Sequence, residues 1–187
     1  MTSAEPLRQM SGSGCTDSTS DDDGVGDTDT PPECVAVLRA AENGETEVLR
    51  ELLRQRPDLV NCRDSDCYTP LHRASYNGHV PAIRLLLDRG ADPHARSSEG
   101  WQPLHSAVKW GHVEAATMLM SAGADINSQT NGGLTPAHIV SMGKDRTVIQ
   151  FVIFHPDVDL SLRNAAGELA YDVALRSSPW HKLFQCV

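Results

Sequence analysis

The 187-residue chain carries a net charge of −9 at pH 7, and most of that charge lies in residues 1–33. This segment holds eight acidic residues and one basic residue, whereas residues 34–187 hold 17 acidic and 15 basic residues. Phosphate backbones attract clustered Lys and Arg, so this distribution disfavours direct nucleic-acid binding. The longest bulky apolar run, residues 151–154, is far shorter than the ~20 residues that cross a bilayer, and no membrane span is predicted.

The start of the chain and its cysteines both indicate an intracellular protein. The N-terminus lacks the basic start and apolar stretch of a secretory signal, and its acidity is unlike that of an organelle transit peptide. The cysteines are odd in number and scattered, with no C-x-x-C pair and no zinc-finger spacing. We therefore expect free thiols in a reducing compartment, at Cys15, Cys34, Cys62, Cys67 and Cys186.

Residues 1–33 are predicted to be a disordered acidic leader. Ser, Thr, Gly and Asp dominate the segment, and few apolar side chains are present whose burial could offset the entropy of ordering it. Ser18, Thr19 and Ser20 each precede an Asp by three positions, a pattern that favours phosphorylation by an acid-directed kinase. Pro31 and Pro32 mark the end of the leader.

The rest of the chain repeats with a period of 33 residues. The motif Thr69-Pro70-Leu71-His72 returns as Gln102-Pro103-Leu104-His105 and as Thr135-Pro136-Ala137-His138. Gly78-His79 returns at the same interval as Gly111-His112. Such a period is typical of a solenoid, in which each repeat buries its apolar face only against its neighbours.

These motifs resemble the ankyrin repeat, which consists of a turn and two helices with T-P-L-H-x-A at the start of the first helix. The resemblance implies an all-α solenoid of stacked helix-turn-helix units with β-hairpin-like loops, behind the disordered acidic leader. The first and last units lack the full motif, as expected of terminal caps. We predict an N-terminal cap at 34–63, full repeats at 64–96, 97–129 and 130–163, and a C-terminal cap at 164–187.

The motif residues are predicted to be structural. Thr69 and Thr135 suit helix N-caps, and the following prolines suit the first helical position. Gln102 replaces this threonine in the second full repeat, and Cys67 stands where the turn usually has Gly. In the ankyrin family the motif histidine bonds to backbone groups within and between repeats. We therefore assign a framework role to Thr69, Pro70, His72, Pro103, His105, Thr135, Pro136 and His138.

The second helix of each unit is predicted to carry the apolar ridge that packs against the first helices. Ser178 and Pro179 are predicted to begin a last helix that seals the stack. The ridge comprises Val48, Leu49, Leu52 and Leu53, then Ile83, Leu85, Leu86 and Leu87, then Ala115, Ala116, Leu119 and Met120, then Val148, Ile149, Val152 and Ile153.

Recognition in an ankyrin array falls to the hairpin tips and to the exposed side of the first helices, on the concave face. Tyr and Trp at such positions are common interface anchors, although they can also cover gaps between hairpins. We expect Tyr68 to neighbour Trp101, and Tyr76 to neighbour Trp110. The predicted partner-binding residues are Tyr68, Tyr76, Asn77, Trp101, Lys109, Trp110, Asp66, Glu99 and Leu134.

The leading functional hypothesis is a non-catalytic adaptor, expected to be monomeric, that binds a protein partner and needs no cofactor or metal. Resemblance to one member of the ankyrin family, carried by the motifs above and by Ala124-Asp125-Ile126-Asn127, implies a nuclear or nucleocytoplasmic role in transcriptional activation and differentiation. Two alternatives stay open. The leader could be a transcription-activating segment that the array delivers. A cryptic enzyme or metal site could involve His79, His112, Cys62 and Cys67, although no motif supports it.

Overall fold

A computed structural model describes residues 30–185. The leader up to residue 29, with Cys15 and the predicted phosphorylation sites Ser18, Thr19 and Ser20, lies outside the described residues. Nine α-helices and two 3₁₀ helices follow one another within this range. They are α1 (Pro32–Glu42), α2 (Thr46–Gln55), a 3₁₀ helix (Pro57–Asn61), α3 (Pro70–Asn77), α4 (Val80–Asp88), α5 (Pro103–Lys109), α6 (Val113–Ser121), α7 (Pro136–Ser141), α8 (Arg146–Ile153), α9 (Ala170–Ser177) and a second 3₁₀ helix (His181–Gln185).

The helices form two layers. The inner layer consists of α1, α3, α5, α7 and α9, each contacting the next, and the outer layer consists of α2, α4, α6 and α8. The core lies between them and includes the predicted ridge residues Leu49, Leu86 and Ile149, all completely buried. Val48 is an exception, because its side chain is 49% exposed on the outer side of α2. The all-α fold implied by the resemblance to the ankyrin repeat is confirmed.

The loops between repeats have the predicted hairpin-like form. The amide of Ser97 donates to the carbonyl of Trp101 across its loop, and the same bond closes the loops at Asp64 and Thr130. Neighbouring loops are joined by backbone bonds, in which Ser98 donates to Asp66 and Asn131 donates to Glu99. These bonds satisfy backbone polar groups without a continuous sheet.

The motif histidines tie each repeat to the next. In His72, Nδ1 accepts the amide of Thr69 at 3.1 Å, so Nε2 carries the proton and donates to the carbonyl of Trp101 at 3.0 Å. His105 makes the same pair of bonds, and burial lowers the pKa of both imidazoles to about 4. His138 Nε2 likewise lies 3.0 Å from the carbonyl of Glu168. These contacts connect each repeat to the next through the histidine side chains.

Two departures from the motif have visible consequences. The Thr69 hydroxyl accepts the amide of His72, but in the second full repeat the amide of His105 bonds instead to the carbonyl of Gln102. The Gln102 carboxamide oxygen is buried without a hydrogen-bond partner. Cys67 has a φ of 63°, a left-handed conformation in which a side chain is strained and which Gly adopts at lower cost.

The ends of the array differ in three ways from the predictions. Helix α1 begins at Pro32, inside the segment assigned to the leader. Cys34 and Cys62 form a disulfide, with Cα atoms 5.8 Å apart, so the prediction of free thiols is wrong for this pair. Packing of the 3₁₀ helix beside α1 brings the two cysteines together, whereas Cys67 is free. After α9 the Ser178 hydroxyl accepts the amide of Trp180, but the element that follows is a 3₁₀ turn.

Candidate partner-binding surface

The predicted partner-binding residues separate into two groups at opposite ends of the inner helices. The loop group consists of Asp66, Tyr68, Glu99, Trp101 and Leu134. The turn group consists of Tyr76, Asn77, Lys109 and Trp110, next to the turns that lead into the outer helices. The seven residues of α5, which span roughly 10 Å along the helix, lie between Trp101 and Trp110. The aromatic residues therefore do not form one patch.

The large side chains of the loop group serve mainly as packing. Trp101 and Leu134 are half-buried and pack against the core. Tyr68 meets the edge of its own His72 with centroids 5.4 Å apart, and Trp101 meets His105 in the same way at 6.0 Å. Burial raises the pKa of the Tyr68 hydroxyl, whose side chain is hydrogen-bonded to Ser97. The carboxylates of Asp66 and Glu99 are exposed beside them.

Tyr76 and Trp110 form the exposed aromatic pair of the inner layer. Their ring centroids lie 4.8 Å apart with an interplanar angle of 63°, as expected from their places in consecutive repeats. The Trp110 side chain is 50% exposed although it belongs to this pair. A large aromatic group that is held in place and remains accessible is typical of an interface anchor.

A groove of about 160 Å³ opens beside Trp110 towards the next repeat. Lys109 and Trp110 form one side of the groove, and Gly143, Lys144 and Asp145 form the other. Gly143 follows Trp110 by 33 residues, so this repeat has no side chain where the preceding one has an indole. The absence of that side chain leaves the face of Trp110 uncovered. We call Tyr76, Lys109, Trp110, Gly143 and Lys144 the turn surface.

The charge of the groove is set by two ammonium groups and one carboxylate. Within residues 30–185 neither Lys109 nor Lys144 forms an ion pair. The Asp145 carboxylate is occupied as the cap of α8, where it accepts the amide of Thr147 at 2.8 Å. Burial and the nearby Glu42 carboxylate raise the pKa of Tyr76, which keeps its hydroxyl neutral. Within residues 30–185 the groove therefore presents two lysines without an ion-pair partner, one carboxylate and an aromatic face.

Other residues named from the sequence connect the repeats. Asn77 donates to the carbonyl of Glu42 at 3.0 Å, which leaves it little freedom to bind a partner. His79 Nε2 lies 3.0 Å from the same carbonyl, and His112 Nε2 lies 3.0 Å from the carbonyl of Tyr76. Each of the two turn histidines thus bridges to the preceding repeat. No cluster of three metal-ligating side chains lies in the part of the chain that the structure describes.

A ladder of side chains along the loops was missed in the sequence analysis. Arg63 Nη1 donates to the carbonyl of Arg96 at 2.7 Å, and Arg96 Nη1 donates to the carbonyl of Gln129 at 3.0 Å. Gln129 continues the ladder to the carbonyl of Arg163 at 3.2 Å. The 33-residue interval from Arg63 through Arg96 to Gln129 was the available signal. These basic residues therefore stabilise the stack.

The repeating helix pairs, the histidine bridges and the exposed inner-layer surface define a protein-interaction scaffold. The family model described as ankyrin repeats (three copies) matches residues 37–130. The chain belongs to the ankyrin-repeat family, whose members are typically non-catalytic interaction domains. No helix in residues 30–185 has the length and apolar character required to span a membrane.

The chain is similar to proteins named Ankyrin repeat domain-containing protein 49. It is 53% identical to the Bos taurus protein over 152 residues, which are 81% of this chain and 64% of that protein. The Homo sapiens protein gives the same identity and coverage. The Drosophila melanogaster protein is 44% identical over 57 residues, covering 30% of this chain and 26% of the relative. The chain thus spans less than two thirds of the mammalian relatives it matches.

Proposed function

We propose that this chain is a non-catalytic adaptor that binds a protein partner through the turn surface. The observation that carries the proposal is the edge-to-face pair of Tyr76 and Trp110, which remains accessible beside an open groove. Tyr76 and Trp110 are not part of the repeat motif, whereas the histidines around them hold the repeats together. An anchor of this kind supplies much of the binding free energy at protein interfaces.

The same proposal includes a monomeric chain that does not bind nucleic acid directly. Two features support the second point. The loops carry charged residues of both signs. The guanidinium groups of Arg63 and Arg96 donate hydrogen bonds to backbone carbonyls of the next repeat. Nucleic-acid binding depends on many unpaired Lys and Arg side chains on one face. Gel filtration with light scattering tests whether the chain is monomeric.

We also propose that the adaptor works in the nucleus, or between nucleus and cytoplasm, in transcription regulation or differentiation. Support comes from the resemblance to the relatives named above, which extends over 152 residues. A fluorescent fusion of the full chain tests the location. Exclusion from the nucleus in cells that express the protein naturally would contradict it.

The binding proposal is tested by capture from a cell extract with three forms of the full chain. Trp110→Ala removes the anchor, and Phe154→Ala is a matched control because the Phe154 side chain is 51% exposed at the end of an outer helix. We expect specific partners on the wild type and on Phe154→Ala, and their loss from Trp110→Ala. Circular dichroism checks that each variant is folded. Equal capture by all three forms would contradict the turn surface as the binding site.

A further inference from the structure

The chemistry of the groove beside Trp110 specifies the kind of partner that fits it. Its volume of about 160 Å³ is close to the ~150 Å³ of an engineered protein cavity that binds benzene. The groove therefore has room for one apolar side chain. Val108, Ile139 and Val148 contribute apolar lining, and Trp110 contributes an aromatic face.

Charge complementarity indicates what should flank that apolar side chain. Lys109 and Lys144 stand on opposite sides of the groove, in consecutive repeats, and neither is paired within the described residues. Arg73 and Arg146, in contrast, are already engaged. Arg73 bonds to Asp64 at 2.6 Å, and Arg146 lies over the Trp180 ring at 5.2 Å. The two lysines are therefore the free cations of this surface within residues 30–185.

We infer that the turn surface binds an acidic peptide segment of a separate protein, in which an apolar residue enters the groove and flanking carboxylates meet Lys109 and Lys144. This inference rests on the proposed function and adds the partner's chemistry. The Asp145 carboxylate lines the same groove and keeps its charge, so the two lysines leave the groove one net positive charge to meet the peptide. Exposed charge pairs contribute modest affinity and mainly select the partner.

The test uses a random dodecapeptide library displayed on phage and selected on the full chain. We expect selected peptides to carry a Leu, Met, Phe or Trp with Asp or Glu within a few residues on either side. Binding of a selected peptide should weaken about tenfold in Lys109→Glu/Lys144→Glu, since both charges at the rim of the groove are reversed. It should also weaken as salt is raised.

A control with the same charge change is available on the outer layer. Arg84→Glu/Arg89→Glu alters residues of α4 and its C-terminus, which lie outside the turn surface, and should leave peptide affinity unchanged. Peptides without acidic enrichment, or equal weakening by both double variants, would overturn the inference. In the full chain, Asp21→Asn/Asp22→Asn/Asp23→Asn should not change the affinity. A gain in affinity would show that the chain's own leader occupies the groove, and it would overturn the inference of a separate partner.

Trp110→Ala separates this inference from the proposed function. If selected peptides lose binding in Trp110→Ala but not in Lys109→Glu/Lys144→Glu, the turn surface stands and the acidic chemistry is wrong. If Trp110→Ala binds the peptides as the wild type does, the turn surface itself is wrong. Circular dichroism of every variant shows whether a loss of binding reflects unfolding.

Discussion

The Nε2 atom of His112 lies 3.0 Å from the carbonyl oxygen of Tyr76, so a turn histidine of one repeat fixes the aromatic residue of the repeat before it. Tyr76 in turn meets Trp110, two residues before that histidine, in an edge-to-face contact. The bond that joins the repeats and the pair that forms the exposed surface thus share a residue. Changes at this turn should alter stability and the geometry of the surface together.

Gly78 gives the first prediction, because the His112 imidazole packs directly against it. A Cβ at Gly78, whose φ is 70°, would collide with the ring. We expect Gly78→Ala to lower the free energy of unfolding by roughly 2–4 kcal/mol, from left-handed strain and overpacking together. Gly90→Ala is the control, because its φ is 86° but no atom lies within 4 Å of the added Cβ. Gly90→Ala should lower the free energy of unfolding, measured in urea, by roughly 1–2 kcal/mol. Equal losses would contradict the packing argument.

The buried histidines make stability depend on pH. His72 and His105 have a pKa of about 4 in the folded chain and 6.5 as unperturbed imidazoles. Between these values the unfolded chain binds more protons than the folded one, so stability falls as the pH is lowered. Each histidine should lower the free energy of unfolding by up to about 3 kcal/mol when the pH reaches 4.

The measurement is the free energy of unfolding at several pH values across that window. Carboxylates titrate in the same pH range. The contribution of one histidine is therefore the difference between the wild type and His105→Gln in the slope of the free energy of unfolding against pH. We expect a flatter profile in the variant, although it is less stable at neutral pH because the bond to Ser128 is altered. Parallel profiles would show that His105 does not titrate as described.

Gln102 marks a site where the repeat motif can be restored. Its carboxamide oxygen is buried without a partner, whereas the hydroxyl at the equivalent Thr135 accepts the amide of His138. Gln102→Thr should stabilise the array by about 1 kcal/mol, because it removes an unsatisfied acceptor and supplies an N-cap. Thr135→Gln should destabilise it by a similar amount. Both changes can be measured by thermal unfolding, and a loss of stability in Gln102→Thr would contradict the assignment.

The disulfide between Cys34 and Cys62 ties α1 to the turn before the first full repeat. Closing a loop across 28 residues restricts the unfolded chain, and its loss should cost roughly 3–4 kcal/mol. We expect Cys34→Ser/Cys62→Ser to unfold at lower denaturant than the oxidised wild type. Cys67→Ser, at the free cysteine, should change little. If reductant leaves the wild-type transition unmoved, the disulfide does not form in solution.

The 33-residue period was sufficient to predict the fold and one contact of the surface. It placed the prolines at the helix starts, and it placed Tyr76 near Trp110 because the ends of the inner helices of adjacent repeats are neighbours. It did not predict that Trp101 would be half-buried, since a position that faces outward from its own loop can pack on the next one. Periodicity reports equivalence between repeats but does not report how much of a side chain a neighbour covers.

Features that do not recur at the 33-residue interval could not be predicted from it. Cys34 and Cys62 lie 28 residues apart and match no motif, so their contact follows only from the packing of the first repeat. The groove beside Trp110 depends on Gly143, which stands 33 residues after Trp110 and has no side chain in that place. Departures of this kind distinguish one ankyrin array from another, and here one of them creates the candidate site.

Oxidative footprinting of the full chain, free and bound to a partner captured from cells, tests the central claim most directly. Hydroxyl radicals modify exposed Trp and Phe, and Trp110 and Phe154 begin from nearly equal exposures of 50% and 51%. We expect the partner to protect Trp110 while Phe154 reacts as before. Protection of Phe154 with unchanged reaction at Trp110 would place the partner on the outer layer and would contradict the turn surface as the binding site.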